Sequence, residues 1–302
     1  MNTFKLLILT IAMAVSYKTA HAQGCSDAGI CTAPTIRLTD TSVLSGNSKN
    51  TVTAGTVFGT AQYNVSSLGI HAEYVRRLGK LTVSGKVVYS FITGPLATNS
   101  GLADAMFTVA YSFNDRFTPM IGIKLPFSDA NKMENGLPLP MAYQTSLGTT
   151  DLLAGFTYTF NNWGVALAWQ QPLTQNRSAF IISDYPGGSI DSRYRSTNGF
   201  ERRADVLARA YYNIRFNSKW LFTPGILPIY HIGDDYWTDK TGLRTSISGS
   251  QGLTLNTNVA LRYTLTNSSY LRLTVGAPVM ARKVRPEGLT KFGIVLEYIG
   301  RF

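Results

Sequence analysis

No apolar run in this 302-residue chain approaches the roughly 20 residues that a helix needs to cross a bilayer, which excludes insertion as helices. Charge is scarce as well: charged residues make up 15% of the chain, against about 25% in an ordinary soluble domain. Histidine is limited to His21, His71 and His231, and cysteine to Cys25 and Cys31. A lipid-modifying barrel enzyme needs a histidine beside a nucleophilic serine. His71 and His231 fall on separate segments, and no G-x-S-x-G spacing occurs. The chain is therefore expected to be a non-enzyme without a cofactor, with lipid modification kept as the remotest alternative. The cysteines have no neighbouring histidine and only Asp27 between them, a poor metal site. Acidic residues, 17 against 28 basic ones, leave a net charge of +11. Nucleic acid is one partner of a basic chain, but an export signal makes it an unexpected one here.

That signal opens the chain. Lys5 precedes the apolar run Leu6 to Val15, and Ala20-His21-Ala22 supplies an A-x-A site, together a secretory signal peptide cleaved after Ala22. Removal of residues 1–22 takes Lys5 and Lys18 with it, so the charge falls from +11 to +9. Residues 23–49 form an N-terminal segment in which Cys25 and Cys31 are expected to pair as a disulfide in an oxidising periplasm. Two placements stand for it: a plug inside the molecule, or a periplasmic tail.

Residues 50–302 alternate apolar and polar positions in twelve segments, the period of strands with two different faces. Every second connection is tiny, as at Leu78-Gly79-Lys80, Asn114-Asp115-Arg116, Asn161-Asn162, Asn217-Ser218-Lys219 and Thr266-Asn267-Ser268. The intervening ones are long, near 93–101, 127–150, 172–203, 231–250 and 279–290, with 63–65 the short exception. Short turns at one end and long loops at the other predict an all-β, antiparallel, up-and-down transmembrane barrel of about twelve strands in the outer membrane of a Gram-negative cell. The terminal Phe302, with Tyr298 and Phe292 on its face, resembles the signal read by the outer-membrane assembly machinery.

The opposite faces carry the charge. Glu73, Lys86, Lys124, Asp205, Arg209, Arg215, Arg262, Arg272, Lys291, Glu297 and Arg301 are the expected pore-lining residues. Their positive excess predicts a lumen that favours anions; the competing reading has these cations paired with carboxylates to fill a narrow barrel. Asp234, Asp235 and Asp239 form either a calcium-binding loop or a solvated one, while Tyr236, Trp237, Trp163, Trp169 and Trp220 read as membrane-interface aromatics. The long 172–203 loop, rich in arginine, reads as a constriction, a lipopolysaccharide contact or a mobile loop.

Lys124-Leu125-Pro126-Phe127-Ser128-Asp129, followed by Tyr143 to Gly155 with Ser146-Leu147-Gly148-Thr149-Thr150-Asp151, resembles a group of transporter-like outer-membrane barrels. These are related to the FadL/TodX hydrocarbon-uptake channels and to the phenol-degradation-pathway barrels, and the Gly-Cys-Ser-Asp-Ala-Gly start is similar to barrel proteins of Bacteroidetes-type bacteria. The resemblance implies passage of small, often hydrophobic compounds. Fatty-acid transporters of the group have two more strands, an Asn-Pro-Ala hatch and an apolar pocket, and no Asn-Pro-Ala occurs here. The expected function is a passive uptake channel for small anionic or hydrophobic solutes, with lipid and lipopolysaccharide as neighbours. The alternative is a closed barrel whose loops hold a partner or polysaccharide.

Overall fold

A computed structural model describes residues 32–37, 48–190, 192–288 and 290–302. The signal peptide and the Cys25–Cys31 pair lie outside the described residues. Twelve strands close into a ring: β1 (Asn50–Ala61), β2 (Ser66–Leu78), β3 (Leu81–Thr93), β4 (Thr98–Tyr111), β5 (Phe117–Pro126) and β6 (Asp151–Phe160), then β7 (Trp163–Pro172), β8 (Asp205–Tyr212, continued by Ile214–Arg215 after a break at Asn213), β9 (Trp220–His231), β10 (Gly252–Thr266), β11 (Ser269–Met280) and β12 (Thr290–Arg301). All neighbours are antiparallel, and β1 pairs with β12 from Thr51↔Arg301 to Ala61↔Thr290, so the main sheet has no free edge. No helix among the described residues is long and apolar enough to cross a membrane.

The short turns form for the reason their residues suggest. The Asn114 side-chain oxygen accepts hydrogen bonds from the Arg116 and Phe117 amides at 2.9 and 2.8 Å, and Asn217 does the same for Lys219 and Trp220 at 2.9 and 3.0 Å. An Asx side chain thus closes each turn in place of a backbone partner. Gly79 and Asn161 adopt positive φ at two more of these turns, a conformation that glycine and asparagine tolerate.

The two faces separate as the alternation requires. Outside lie Leu296, Tyr298, Phe107, Ile121, Leu167, Ile226, Val259 and Leu273, all exposed, an apolar belt suited to lipid. Inside lie Glu297, Ile299, Arg272, Arg209, Leu207, Lys124 and Met120, all buried. Trp163 packs on Tyr212 at 4.9 Å and Trp220 on Tyr263 at 4.6 Å, both exposed next to short turns where an interfacial girdle belongs. Tyr236 and Trp237 do not join it: they form a ribbon, Tyr236–Thr238 with Arg244–Ser246, inside a long loop.

One seam is looser than the rest. Pro224 and Pro228 stand in β9, and the β8–β9 register runs Leu207↔Ile229 and then Ala210↔Ile226, leaving Ala208 and Arg209 outside the ladder. Proline lacks the amide that the missing rungs require.

Candidate functional site

The lumen has two unlike walls. Met106 and Ala110 of β4, Met120 of β5, Leu153 of β6, Ala166 and Ala168 of β7, Leu207 of β8 and Leu227 of β9 make one apolar cluster. On the other side of the ring, Thr53, His71, Glu73, Lys86, Arg272 and Glu297 project inward from β1, β2, β3, β11 and β12. Gly55 makes room there: a Cβ on it would lie 2.6 Å from His71 Cε1 and 2.8 Å from Glu297 Cγ.

Residues 32–37 run from one wall to the other. Ala33 and Ile36 have no exposed surface and belong to the apolar cluster. The Thr35 hydroxyl lies 2.8 Å from Met120 Sδ, and its carbonyl accepts the Thr157 hydroxyl. Two residues later Arg37 reaches the opposite wall, donating Nη2 to Glu73 Oε1 at 2.8 Å and Nη1 to Glu73 Oε2 at 3.2 Å, with Glu297 Oε1 3.6 Å away. Glu297 is also held by Arg272, 2.7 Å from Nε, and by His71 Nε2 at 3.3 Å. A bidentate guanidinium fork on a buried carboxylate is among the stronger polar contacts a protein makes. The segment turns back on itself through Ile36 N and Arg37 N, which both donate to the Ala33 carbonyl at 3.0 and 2.9 Å.

A second charged group occupies the long-loop end of the lumen. Lys124 pairs with Asp151 at 3.0 Å, and Gln170 donates to the same carboxylate. Arg202 pairs with Asp205, whose other oxygen meets His231 Nδ1 at 2.7 Å. His231 Nε2 meets Asp235 Oδ1 at 2.8 Å, so both ring nitrogens are taken by carboxylates and neither is placed to activate a serine. Arg282 joins Glu287 and the Ser250 carbonyl. Burial alone would push the Glu287 carboxyl up, but Arg282 and Arg285 outweigh it and hold it at about 2.

Of the eleven residues expected to line a pore, Glu73, Lys86, Lys124, Asp205, Arg209, Arg272 and Glu297 are buried inside the barrel. Arg262 and Arg301 are half-buried, each over the Tyr270 ring at 5.3 and 5.0 Å. Arg215 and Lys291 are exposed, Arg215 near the short-turn end and Lys291 at the long-loop rim. Four inward carboxylates were missed by counting faces: Asp104, Asp151, Asp235 and Glu287. Beside them stand Arg37, Arg202, Arg282 and Arg285, cations equally outside that set, so the added carboxylates bring ion pairs without removing the positive excess.

The acidic loop residues separate in the same way. Asp234 accepts the Gln251 amide at 2.8 Å, Asp235 anchors His231, and Asp239 closes its own turn on Thr241 and Leu243. Among the described residues no His, Cys, Asp and Glu group is arranged to hold a metal. Tyr236 is faced by Arg244 at 3.4 Å and Arg203 at 5.0 Å, in place of a membrane interface.

The long loops form a cap. Leu139, Tyr143, Phe180 and Tyr194 pack with Val65, Ile92 and Ala97 of the barrel rim. Arg177 N donates to Asp129 O at 3.0 Å, the Asn198 side-chain amide to Thr238 O at 2.7 Å, and Tyr143 accepts Leu96 N on its hydroxyl at 3.1 Å, which ties three long loops and the β3–β4 turn together. Loop 173–204 is therefore packed into this cap, with Phe180 and Phe200 fully buried. At the β1–β2 turn Tyr63 and Asn64 both have φ of 59°, which asparagine tolerates and which costs Tyr63 about 1–3 kcal/mol.

No family model and no curated protein matches the chain. Among solved structures it is similar to the NanC porin, at 10% identity over 84% of this chain and 99% of that one with a TM-score of 0.46. It is also similar to the CymD monoaromatic hydrocarbon channel, at 10% identity over 93% and 94% with a TM-score of 0.46. A third is the Pseudomonas putida toluene transporter TodX, at 10% identity over 91% and 94% with a TM-score of 0.46.

Proposed function

We propose that this chain is an outer-membrane channel for small solutes, closed at its waist by residues 32–37 and opened when that segment leaves the bore. The observation that carries the reading is the crossing itself. A six-residue stretch outside the barrel sheet lies between Met120 and Thr157 on one wall and Glu73 and Glu297 on the other. It is held there by hydrogen bonds and ion pairs, contacts that water can replace once the segment moves. A barrel of about eight strands is filled by its own side chains and one of 16 or more is open. Twelve strands leave space that this segment occupies.

The unlike walls suit solutes with an apolar and a charged part, which keeps both classes expected from sequence, anionic and hydrophobic, in one molecule. Arg37, Lys124, Arg202, Arg272 and Arg282 are each held in an ion pair, which argues against anion selectivity by unpaired positive charge alone. The apolar belt would sit in outer-membrane lipid, with Phe302 as the assembly signal.

Swelling of proteoliposomes tests the reading. The wild-type chain is expected to admit small organic acids slowly, and a variant lacking residues 32–37 quickly. If that variant is folded and still impermeable, the closed binding barrel replaces the channel.

A further inference from the structure

We infer that a bare strip of the inner wall, on the long-loop side of residues 32–37, binds a polyhydroxylated ring, its face lying on glycine backbone and its hydroxyls donating to Asn256 and Asn258. The inference deepens the channel reading and rests on it only for placing the bound ring on the solute's path.

Gly276, Gly293 and Gly59 stand side by side on β11, β12 and β1, in register as Gly276↔Gly293 and Gly59↔Gly293. Each has the inward parity of its strand, with buried Arg272, Glu297 and Thr53 further along the same faces. Neighbouring strands lie about 4.8 Å apart, so three of them present a strip without side chains about 10 Å wide, room for one ring. Among the described residues, a Cβ on Gly293 would meet nothing nearer than the Phe58 carbonyl at 3.8 Å, so packing does not demand glycine there. Glycine inside a strand weakens it and marks a place where something approaches the backbone closely.

Two side chains supply an independent observation. Asn258 pairs with Gly276 and continues the row onto β10, and Asn256 follows two positions nearer the long loops. Both are buried. Asn258 leans over the strip, since a Cβ on Gly276 would lie 2.8 Å from its Nδ2. Asn256 donates Nδ2 to the Leu227 carbonyl at 3.2 Å, which fixes its amide orientation and leaves the oxygen as the acceptor end. Neither side-chain oxygen has a hydrogen-bond partner among the described residues, although buried acceptors normally have one. At a rise of about 3.3 Å per residue the two positions lie about 7 Å apart, a spacing that hydroxyls on opposite sides of one ring reach together.

The surroundings select the ligand class. Ser67 extends the glycine row on β2, and Thr274, Val295, Val57 and Gly69 form the row beneath it. Neither row holds a charge or an aromatic ring. The charged waist begins one row lower, where Arg272 is paired with Glu297. A carboxylate therefore finds no cation on the strip, and an apolar ring leaves both amide oxygens unmet. A ring with several hydroxyls meets them while its C–H face covers the backbone.

Quinate and cyclohexanecarboxylate share a ring and a carboxylate and differ in hydroxyls, whereas myo-inositol has the hydroxyls and no charge. Calorimetric titration of the full chain, refolded in detergent and verified by heat-modifiable gel mobility, should show quinate and myo-inositol each binding at least tenfold more tightly than cyclohexanecarboxylate. N256L/N258L should remove that preference. G293V, which fills the strip where space is open, should remove it too, and decides alone if the double variant does not fold. Equal binding of the three probes, or folded variants that keep the preference, would overturn the inference. Binding of quinate without myo-inositol would overturn it as well, by assigning recognition to the carboxylate. Conductance of the same preparation keeps the two ideas apart: conductance without the hydroxyl preference sinks the strip alone, and the preference without conductance sinks the channel alone.

Discussion

Replacing Arg37 by alanine removes the contact that fastens the luminal segment to the charged wall. Glu73 is fully buried beneath that guanidinium. Deleting one partner of a buried pair costs about 3–5 kcal/mol when the other charge stays buried. Here the cost has an outlet: if the segment leaves, water reaches Glu73, and Lys86, its cross-strand partner in register, can compensate it. The energy lost therefore acts on the position of the segment. Burial of Ile36 holds the segment in wild type and variant alike and drops out of the difference, whereas Lys86 beside Glu73 offsets part of the loss. A net shift of about 2–3 kcal/mol is expected, or roughly 30- to 150-fold in the ratio of inserted to withdrawn segment, since about 1.4 kcal/mol is tenfold. Planar-bilayer recording reads this as open probability. R37A should raise it by that order and R37K by less, because lysine has no bidentate fork. In a double-mutant cycle, E73Q added to R37A should change little further. Unchanged open probability in R37A, or full additivity of the two, would refute the role given to this pair.

Three other outcomes follow from named contacts. G55A places a methyl against His71 and Glu297, so the temperature at which the folded gel band is lost should fall, reflecting about 1–3 kcal/mol of overpacking. D235A strips acceptors from His231 and from the Arg203 amide, leaving buried polar groups at about 1–3 kcal/mol each, and limited proteolysis should then cut within loop 232–251. Glu287, Glu201 and Asp234 have carboxyls held below their ordinary range, Glu287 chiefly by Arg282 against its own burial, Glu201 by Arg244, and Asp234 by the Gln251 amide. Depressed values stabilise the folded cap above the unfolded pKa and lose that contribution as pH falls through the folded value. Loop amide exchange, corrected for intrinsic rate, should therefore rise between about pH 4.5 and 2 and stay flat between pH 5 and 7.

The barrel was legible because its signal is periodic. Along β12 a step of two from Phe302 separates Tyr298 and Leu296, which are exposed, from Ile299 and Glu297, which are buried. The same parity holds in β8, where Asp205, Leu207, Arg209 and Tyr211 all face in. It fails where the period is broken. In β4 the residues Ala105 and Met106 are both buried, next to a register shift opposite Val87 and Tyr89, so counting by twos past this bulge loses the face. Asp104, at that point, went unrecognised as an interior carboxylate. Asp235 and Glu287 sit in loops, where no period exists to read. The segment at 32–37 has neither alternation nor helical spacing, and its position is set by partners distant in sequence: Arg37 with Glu73, and Thr35 with Thr157. A plug and a tail have the same composition, so only the fold distinguishes them.

Tying residues 32–37 in place shows whether they close the bore. In a background of C25S and C31S, cysteines at Thr35 and Met120, whose side chains meet at 2.8 Å, would be bridged by a short reversible thiol cross-linker and the conductance recorded. The bridged channel should be silent, and conductance should return when reductant releases the link. Undiminished conductance through the bridged protein would contradict it.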